Sequence, residues 1–300
     1  ALARHLDDPR PVVRERVIDR LALAEVDAID ALGRVLADKK TSSVTARLGA
    51  TWALSRIERE AALEVLRAAV VDPAPEVRTA VARSLGMRYD LSAIPSLITR
   101  LAKDDSAAVR RQAAAALGRI VENGQVSSKD SSRQSSVASL LTAAVRSGVD
   151  RFEEHSLLYA VIRMNDRAST LPLLGDRRPA TRRAALIALD QMADGKLTRE
   201  LVVPLLDTDD PALQQATLEV IGRHQGWADQ TRGLLEEWLA KETIAADRSA
   251  VIRGFLLSQQ ADPGVQAVVA ERLSRKQLSL AARRLLLEVV GRSSLEKLPA

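Results

Sequence analysis

The sequence predicts an all-α fold, an α-α superhelix of about nine stacked helix pairs. Three observations lead there. At four places an Asp precedes by six residues an Arg that is itself followed by apolar residues at both the third and seventh positions. Together with looser copies the pattern recurs every 31–35 residues along most of the chain, and a fixed period of that size marks a repeat architecture. The apolar fraction is 46% but the aromatic fraction only 2%, so the core must come from Leu, Ala, Val and Ile, which suit closely stacked helices.

The first copy is Asp8 and Arg14, followed by Val17 and Leu21. The next full copies are Asp72 and Arg78 with Val81 and Leu85, then Asp104 and Arg110 with Ala113 and Leu117. A fourth is Asp176 and Arg182 with Ala185 and Leu189. Looser copies are anchored at Arg47, Gln214, Arg248 and Arg283, and their apolar followers are Ala50 and Leu54, Thr217 and Ile221, Val251 and Phe255, and Leu286 and Val290. The long interval between Arg110 and Arg182 holds one more unit, anchored at Glu154 with Leu157 and Val161, plus an insertion. That insertion, the polar and Ser-rich stretch 122–136, reads as a long loop.

Steps of three, four and seven put apolar side chains on one face of a helix. The Asp opens the turn, and the Pro or Ser beyond it suits a helix start. An Arg six residues after the Asp lies early in that helix, within reach of an Asp in its own or the adjacent turn. Repeated through the stack, these residues would form a ladder of partly buried ion pairs: Asp8, Arg14, Asp72, Arg78, Asp104, Arg110, Asp176 and Arg182. Amphipathic stretches precede the turns, among them Ala61 to Val71, Ile94 to Leu101, Val202 to Leu206 and Trp227 to Leu239. Each unit is therefore helix, turn, helix. Pro95, Pro172 and Pro204 fall early in the first helix of their units.

The run Asp-x-x-Pro-x-Val-Arg-x-x-Val-x-x-x-Leu-Gly at 72–86 and its copies resemble the HEAT repeats, most closely the short class similar to phycobilisome lyases. The resemblance spans almost the whole chain as a single solenoid, residues 1–300. It implies a curved stack whose second helices line the concave face. It carries no information on chemistry.

The sequence offers little to a catalytic reading. Cysteine is absent, which removes disulfides, thiolate zinc sites, a cysteine nucleophile and a CxxCH haem attachment from this segment. His5, His155 and His224 do not pair at metal-ligand spacing, and no metal or cofactor is expected. The carboxylate pairs Asp7/Asp8, Asp104/Asp105 and Asp209/Asp210 recur at turns, where capping explains them. No nucleophile elbow or phosphate-binding glycine loop is present. Nor is there a run of 18 apolar, uncharged residues.

The net charge of +5 and a pI near 9.8 raise a nucleic-acid reading. Many arginines, however, occupy the repeat anchor and so have a structural explanation. Arg83, Arg111, Arg183 and Arg284 are the candidates for outward-facing groups on second helices, but the few aromatic residues lie away from them. The cluster Glu154, His155 and Tyr159 is a second candidate contact point, or a capping cluster at a helix start.

Residues 150–230 also resemble, more particularly, the HEAT region of large haem-binding proteins of planctomycete-type bacteria. The residues that carry this are Glu154–Ala160, Arg182–Met192, Leu205–Leu213 and Gly222–Trp227. In that setting the segment would be a spacer between a sugar-dehydrogenase-like propeller and a cytochrome c domain, in an exported protein. Neither the propeller nor the haem motif is in this sequence, so haem would belong to the parent chain. The chain starts at Ala1 and ends mid-pattern, which is expected of a piece of a longer protein. The expected function is a non-catalytic scaffold for a protein partner or neighbouring domains. The alternatives are a free-standing cytoplasmic adaptor similar to the phycobilin-lyase class, and a nucleic-acid binder.

Overall fold

A proline in the first turn of a helix does no harm, because its missing N–H is one of the donors that lack an intrahelical partner. Pro11, Pro75, Pro211 and Pro263 stand at such starts. Asp and Ser supply the rest of the signal. Ser43, Asp150, Asp210, Asp262 and Ser279 each accept a hydrogen bond from the backbone N–H three residues on. The computed structural model describes residues 2–123, 131–144, 150–224, 227, 232–275 and 277–293, and every regular element among them is a helix.

The chain divides into two compact units. Unit 1 holds Ala1–Pro172 and Met192–Asp194; unit 2 holds Leu173–Gln191 and Gly195–Ala300. Unit 1 begins with a 3-10 helix, Leu2–Asp7. Then follow α1 (Pro11–Leu23), α2 (Val26–Ala37), α3 (Val44–Ser55), α4 (Glu60–Ala68), α5 (Pro75–Met87), α6 (Ile94–Lys103), α7 (Ala107–Glu122), α8 (Ser131–Ala144), α9 (Arg151–Met164) and the short α10 (Arg167–Thr170). The odd-numbered helices are the second members of their pairs. They pack in file, α1 on α3, α3 on α5, α5 on α7 and α7 on α9. The first helices flank them, α6 touching α7 and α8, and α8 touching α9.

Unit 2 contains α11 (Pro179–Gln191), the short α12 (Arg199–Val202), α13 (Pro211–Arg223), α14 (Arg232–Ala240), α15 (Ala246–Ser258), α16 (Pro263–Ser274) and α17 (Leu280–Arg292). Here too the second helices form a file, α11 on α13, α13 on α15 and α15 on α17. With α1 to α9 this makes nine second helices among the described residues. α10 and α12 end after four residues and give way to 3-10 turns at Leu171–Gly175 and Val203–Leu206. Pro172 and Pro204 lie in those turns and lack the N–H that would continue an α-helix.

The apolar followers of each anchor fill the interior. Ala50 and Leu54, Val81 and Leu85, Ala113 and Leu117, and Leu157 and Val161 are all buried, with Leu32, Leu66, Leu97 and Leu101 facing them from first helices. In α15 and α17 one follower of each pair is displaced: Phe255 and Leu286 are buried, but Val251 and Val290 are half-buried, and Ile252 and Val289 take the buried places.

The glycine that closes the repeat has a packing role. A Cβ on Gly86 would lie 2.7 Å from the Ala116 Cα, and one on Gly118 would lie 3.3 Å from the Ala160 Cα. Glycine therefore lets neighbouring second helices touch backbone to backbone.

The Ser-rich stretch departs from expectation. Residues 131–136 are not loop but the start of α8, while 124–130 lie outside the described residues. Ser136, Val137, Leu140 and Ala143 are buried. They fall at helical spacing on the side that meets α6 and α9, so burial decides the helix although the local composition is polar. α8 is the first helix of the pair that α9 completes.

Candidate functional site

The anchor arginines form forks that join successive pairs. From α5, Arg78 Nε and Nη2 donate to the two carboxylate oxygens of Asp104, both at 2.8 Å. Its Nη1 donates to the carbonyls of Asp72 and Pro73 in its own turn. Arg47 on α3 does the same to Asp72, at 3.0 and 3.3 Å, and Arg110 on α7 to Glu153, at 2.6 and 2.7 Å. The carboxylates also serve their own turns, Asp72 accepting from the Ala74 N–H and Asp104 from the Ser106 N–H. One side chain thus secures the turn behind it and the repeat ahead of it.

The electrostatics follow. Burial acts to raise the Asp104 pKa, but hydrogen bonds from Arg78 and from the Ser106 N–H outweigh it and hold the carboxyl below its usual value. Hydrogen bonding to Asp104 and to Glu153 raises the pKa of Arg78 and of Arg110 respectively.

Two expected rungs take another form. Arg14 donates to the backbone carbonyls of Asp8 and Pro9, while the Asp8 carboxylate turns to Arg10 on the surface. That hydrogen bonding lowers the Asp8 pKa to about 2. Asp176 likewise pairs with Arg178, and Arg182 Nε is buried with no hydrogen-bond partner among the described residues. In both cases an Arg two residues after the Asp captures the carboxylate locally. At Gln214 the forward arm is missing, but the side chain still donates to the Leu206 carbonyl of its own turn.

Glu153 escaped the ladder reading, because it lies one residue before the anchor-equivalent Glu154 and belongs to no Asp-x5-Arg pair. A second buried acid did too. Asp90, at the turn before α6, takes a two-pronged contact from Arg67 on α4, at 2.7 and 3.1 Å. The only signal for either was an acid near a helix start.

With the ladder groups engaged in structure, the second-helix face offers the open chemistry. A groove of about 590 Å³ runs between α7 and α9, reaching Thr79 on α5. Its floor is made of small residues, Ala115, Gly118 and Ala160, at the point of backbone contact. Its rim carries Arg111, Arg119, Glu122, His155, Tyr159 and Arg163. Glu122 accepts a fork from Arg163, whose Nη1 also donates to the Tyr159 hydroxyl at 3.3 Å and whose guanidinium lies 5.9 Å from the ring centre. His155 stacks on Tyr159 with centroids 6.5 Å apart. The Arg111 and Arg119 side chains have no ion pair or hydrogen bond among the described residues.

The sequence candidates therefore separate. Arg111, His155 and Tyr159 come together in this groove. Arg83 is exposed on α5, one turn beyond Thr79 and on the same face. Glu154 is half-buried on α9 and does not line the groove. Arg183 and Arg284 belong to unit 2, the first half-buried on α11 and the second exposed on α17. Unit 2 has a smaller groove of about 320 Å³ between α13 and α15, with Glu219 and Arg223 on its rim and Gly222 and Gly254 on its floor. Nearby, the His224 Nε2 lies 3.0 Å from the buried Asp190 carboxylate, and its ring stacks on Trp227 at 4.2 Å. Among the described residues no three His, Asp or Glu side chains converge as metal ligands, and no helix is long and apolar enough to cross a membrane.

Files of helix pairs, tied in unit 1 by the forks from Arg47, Arg78 and Arg110, define an α-solenoid of short helical repeats. The sequence profile of HEAT repeats matches residues 1–86, 40–118 and 68–160, and the chain belongs to the HEAT repeat family. No curated protein matches it at a significant level. Among solved structures it is similar to Kap121p bound to Nup53p, with 15% identity over 96% of this chain and 36% of that one and a TM-score of 0.61. It is also similar to the karyopherin Kap121p bound to the extreme C-terminus of the protein phosphatase Cdc14p, at 14% identity, 96% and 37% coverage and a TM-score of 0.59. The chain thus spans little more than a third of those structures. Human deoxyhypusine hydroxylase also matches, at 19% identity over 88% of this chain and 95% of that one, but a TM-score of 0.37 carries no argument about chemistry.

Proposed function

We propose that the protein is a non-catalytic scaffold that holds protein partners, or adjoining domains, on its second-helix face. The observation that carries this is the groove between α7 and α9. It presents two guanidiniums with no side-chain partner among the described residues, and a half-exposed tyrosine, on a face whose helix spacing the Arg–carboxylate forks hold fixed. The karyopherin structures support it at the level of fold, since there a longer chain of similar architecture is bound to Nup53p or to a Cdc14p C-terminus.

The finer setting, a spacer in an exported haem protein, rests on the resemblance of residues 150–230 alone; flanking propeller and CxxCH sequences would decide it. A duplex-binding role is less well supported. On α5 and α7 the cations without a side-chain partner among the described residues are Arg83, Arg111 and Arg119, whereas tight duplex binding uses on the order of 6–10 phosphate contacts.

The test is affinity capture from source cells with the whole chain, a double variant Arg111→Glu/Arg119→Glu, and a control Arg34→Glu on the exposed side of α2. Partners retained by the wild type and the control and lost by the double variant are expected. A partner set indifferent to the double variant would overturn the reading.

A further inference from the structure

The anchors give a common register for the second helices, so equivalent positions can be compared across the file. One place after the anchor stand Thr79, Arg111 and His155; five places after it, Arg83, Ala115 and Tyr159; nine places after it, Met87, Arg119 and Arg163. This band on α5, α7 and α9 contains no acid. Glu76 lies before it on α5, and Glu122 lies beyond it, occupied with Arg163. The corresponding band on α1 is different, with Glu15 and Asp19 at the first two positions. Apolar groups stand exposed on the same band and at its edge: Met87 at 55%, Tyr159 at 51% and Phe152 at 79%.

We propose that this band binds an extended acidic segment of a protein partner, one that carries acids three residues apart followed by an aromatic residue. The inference rests on the scaffold reading and names the partner's chemistry. Packed helices lie about 8–10 Å apart. An extended chain advances about 3.3 Å per residue. A segment crossing the file therefore meets a new helix about every third residue. Starting at α5, its first acid meets Arg83. Its second meets α7, where Arg111 and Arg119, about 12 Å apart along the helix, stand on either side of the path. Its aromatic residue then reaches α9, between Tyr159 and the exposed Phe152. The small floor of Ala115, Gly118 and Ala160 leaves room for backbone. Charge complementarity selects the occupant, because the unpaired groups on this band are cations and the carboxylate at its edge is already satisfied.

The probe is a fluorescein-labelled peptide containing Glu-Ser-Ser-Glu-Ser-Ser-Phe, read by polarisation against the whole chain. Binding is expected, with a loss of at least about thirty-fold for Arg111→Glu/Arg119→Glu, the level at which a central Arg counts as an anchor. Tyr159→Ala should weaken it about three-fold or more, within the range for an aromatic contact. Arg34→Glu should leave it unchanged, and circular dichroism should show all variants equally helical. The same composition with its two Glu adjacent should bind more weakly. Failure of the probe to bind would overturn the acidic-segment proposal. So would tighter binding of a DNA duplex or single strand with the same arginine dependence. If capture still finds a partner lost by the double variant while the peptide fails, the scaffold reading stands and the acidic motif falls.

Discussion

Arg110 on α7 grips the carboxylate of Glu153 on α9 with both prongs of its guanidinium, at 2.6 and 2.7 Å, across 43 residues of sequence. The acid is 1% exposed at its side chain and the arginine 11%. Removing either partner takes the two-pronged, opposite-charge contact away from a charge that stays buried. Arg110→Ala and Glu153→Ala should each cost about 2–4 kcal/mol, since breaking a buried pair is far more harmful than replacing it. The paired replacement Arg110→Met/Glu153→Leu should recover most of that loss. Urea unfolding of the four proteins as a double-mutant cycle measures the coupling. Additive single effects would mean that the pair is not a unit.

The Arg78–Asp104 fork gives a pH dependence with a definite sign. The folded Asp104 pKa is below the unfolded value, so the unfolded state binds the proton more readily. The stabilisation is present above about pH 4, the ordinary Asp range, and is lost as pH falls through the lower folded value. Asp104→Asn keeps the acceptor for the Ser106 N–H but removes the charge. The variant should be less stable at pH 7 by about 1–3 kcal/mol, and the gap should close on acidification below about pH 4. Thermal unfolding of both proteins from pH 7 down to pH 3 measures it.

Gly86 and Gly118 occupy the same repeat position but differ in clearance. Alanine is the better helix former by about 1 kcal/mol. At Gly86 the added carbon meets backbone at 2.7 Å, which cannot move cheaply, so Gly86→Ala should destabilise by about 1–3 kcal/mol despite that propensity. At Gly118 the contact is 3.3 Å and a few tenths of an ångström suffice. Gly118→Ala should therefore be close to neutral, within about 1 kcal/mol. Chemical denaturation ranks the two, and equal effects would contradict the packing account.

Leu140 tests whether α8 is part of the core. It is fully buried, so Leu140→Ala should cost about 2–5 kcal/mol. A tolerated loop would lose less than about 0.5 kcal/mol. The midpoint of urea unfolding separates these outcomes.

The sequence by itself determined the helix pairs, their starts and most of the buried stripe. Those features arise from local physics: a 3.6-residue period, Pro and Asp at helix starts, and the apolar followers of each anchor. Arg14, Arg78 and Arg110 were visible because each reaches back into its own turn, a contact set within a few residues. What the tertiary structure decided was the partner ahead. The forward carboxylate depends on how far the next repeat lies along the chain. A long connection through α8 therefore brings Glu153 to Arg110, and local capture by Arg10 and Arg178 takes Asp8 and Asp176 out of the ladder. It also separated the arginines whose side chains have partners among the described residues from those whose side chains have none there. Arg163 is neutralised by Glu122 from the neighbouring helix, whereas Arg111 and Arg119 are not, and only packing of α7 against α9 brings them to one groove.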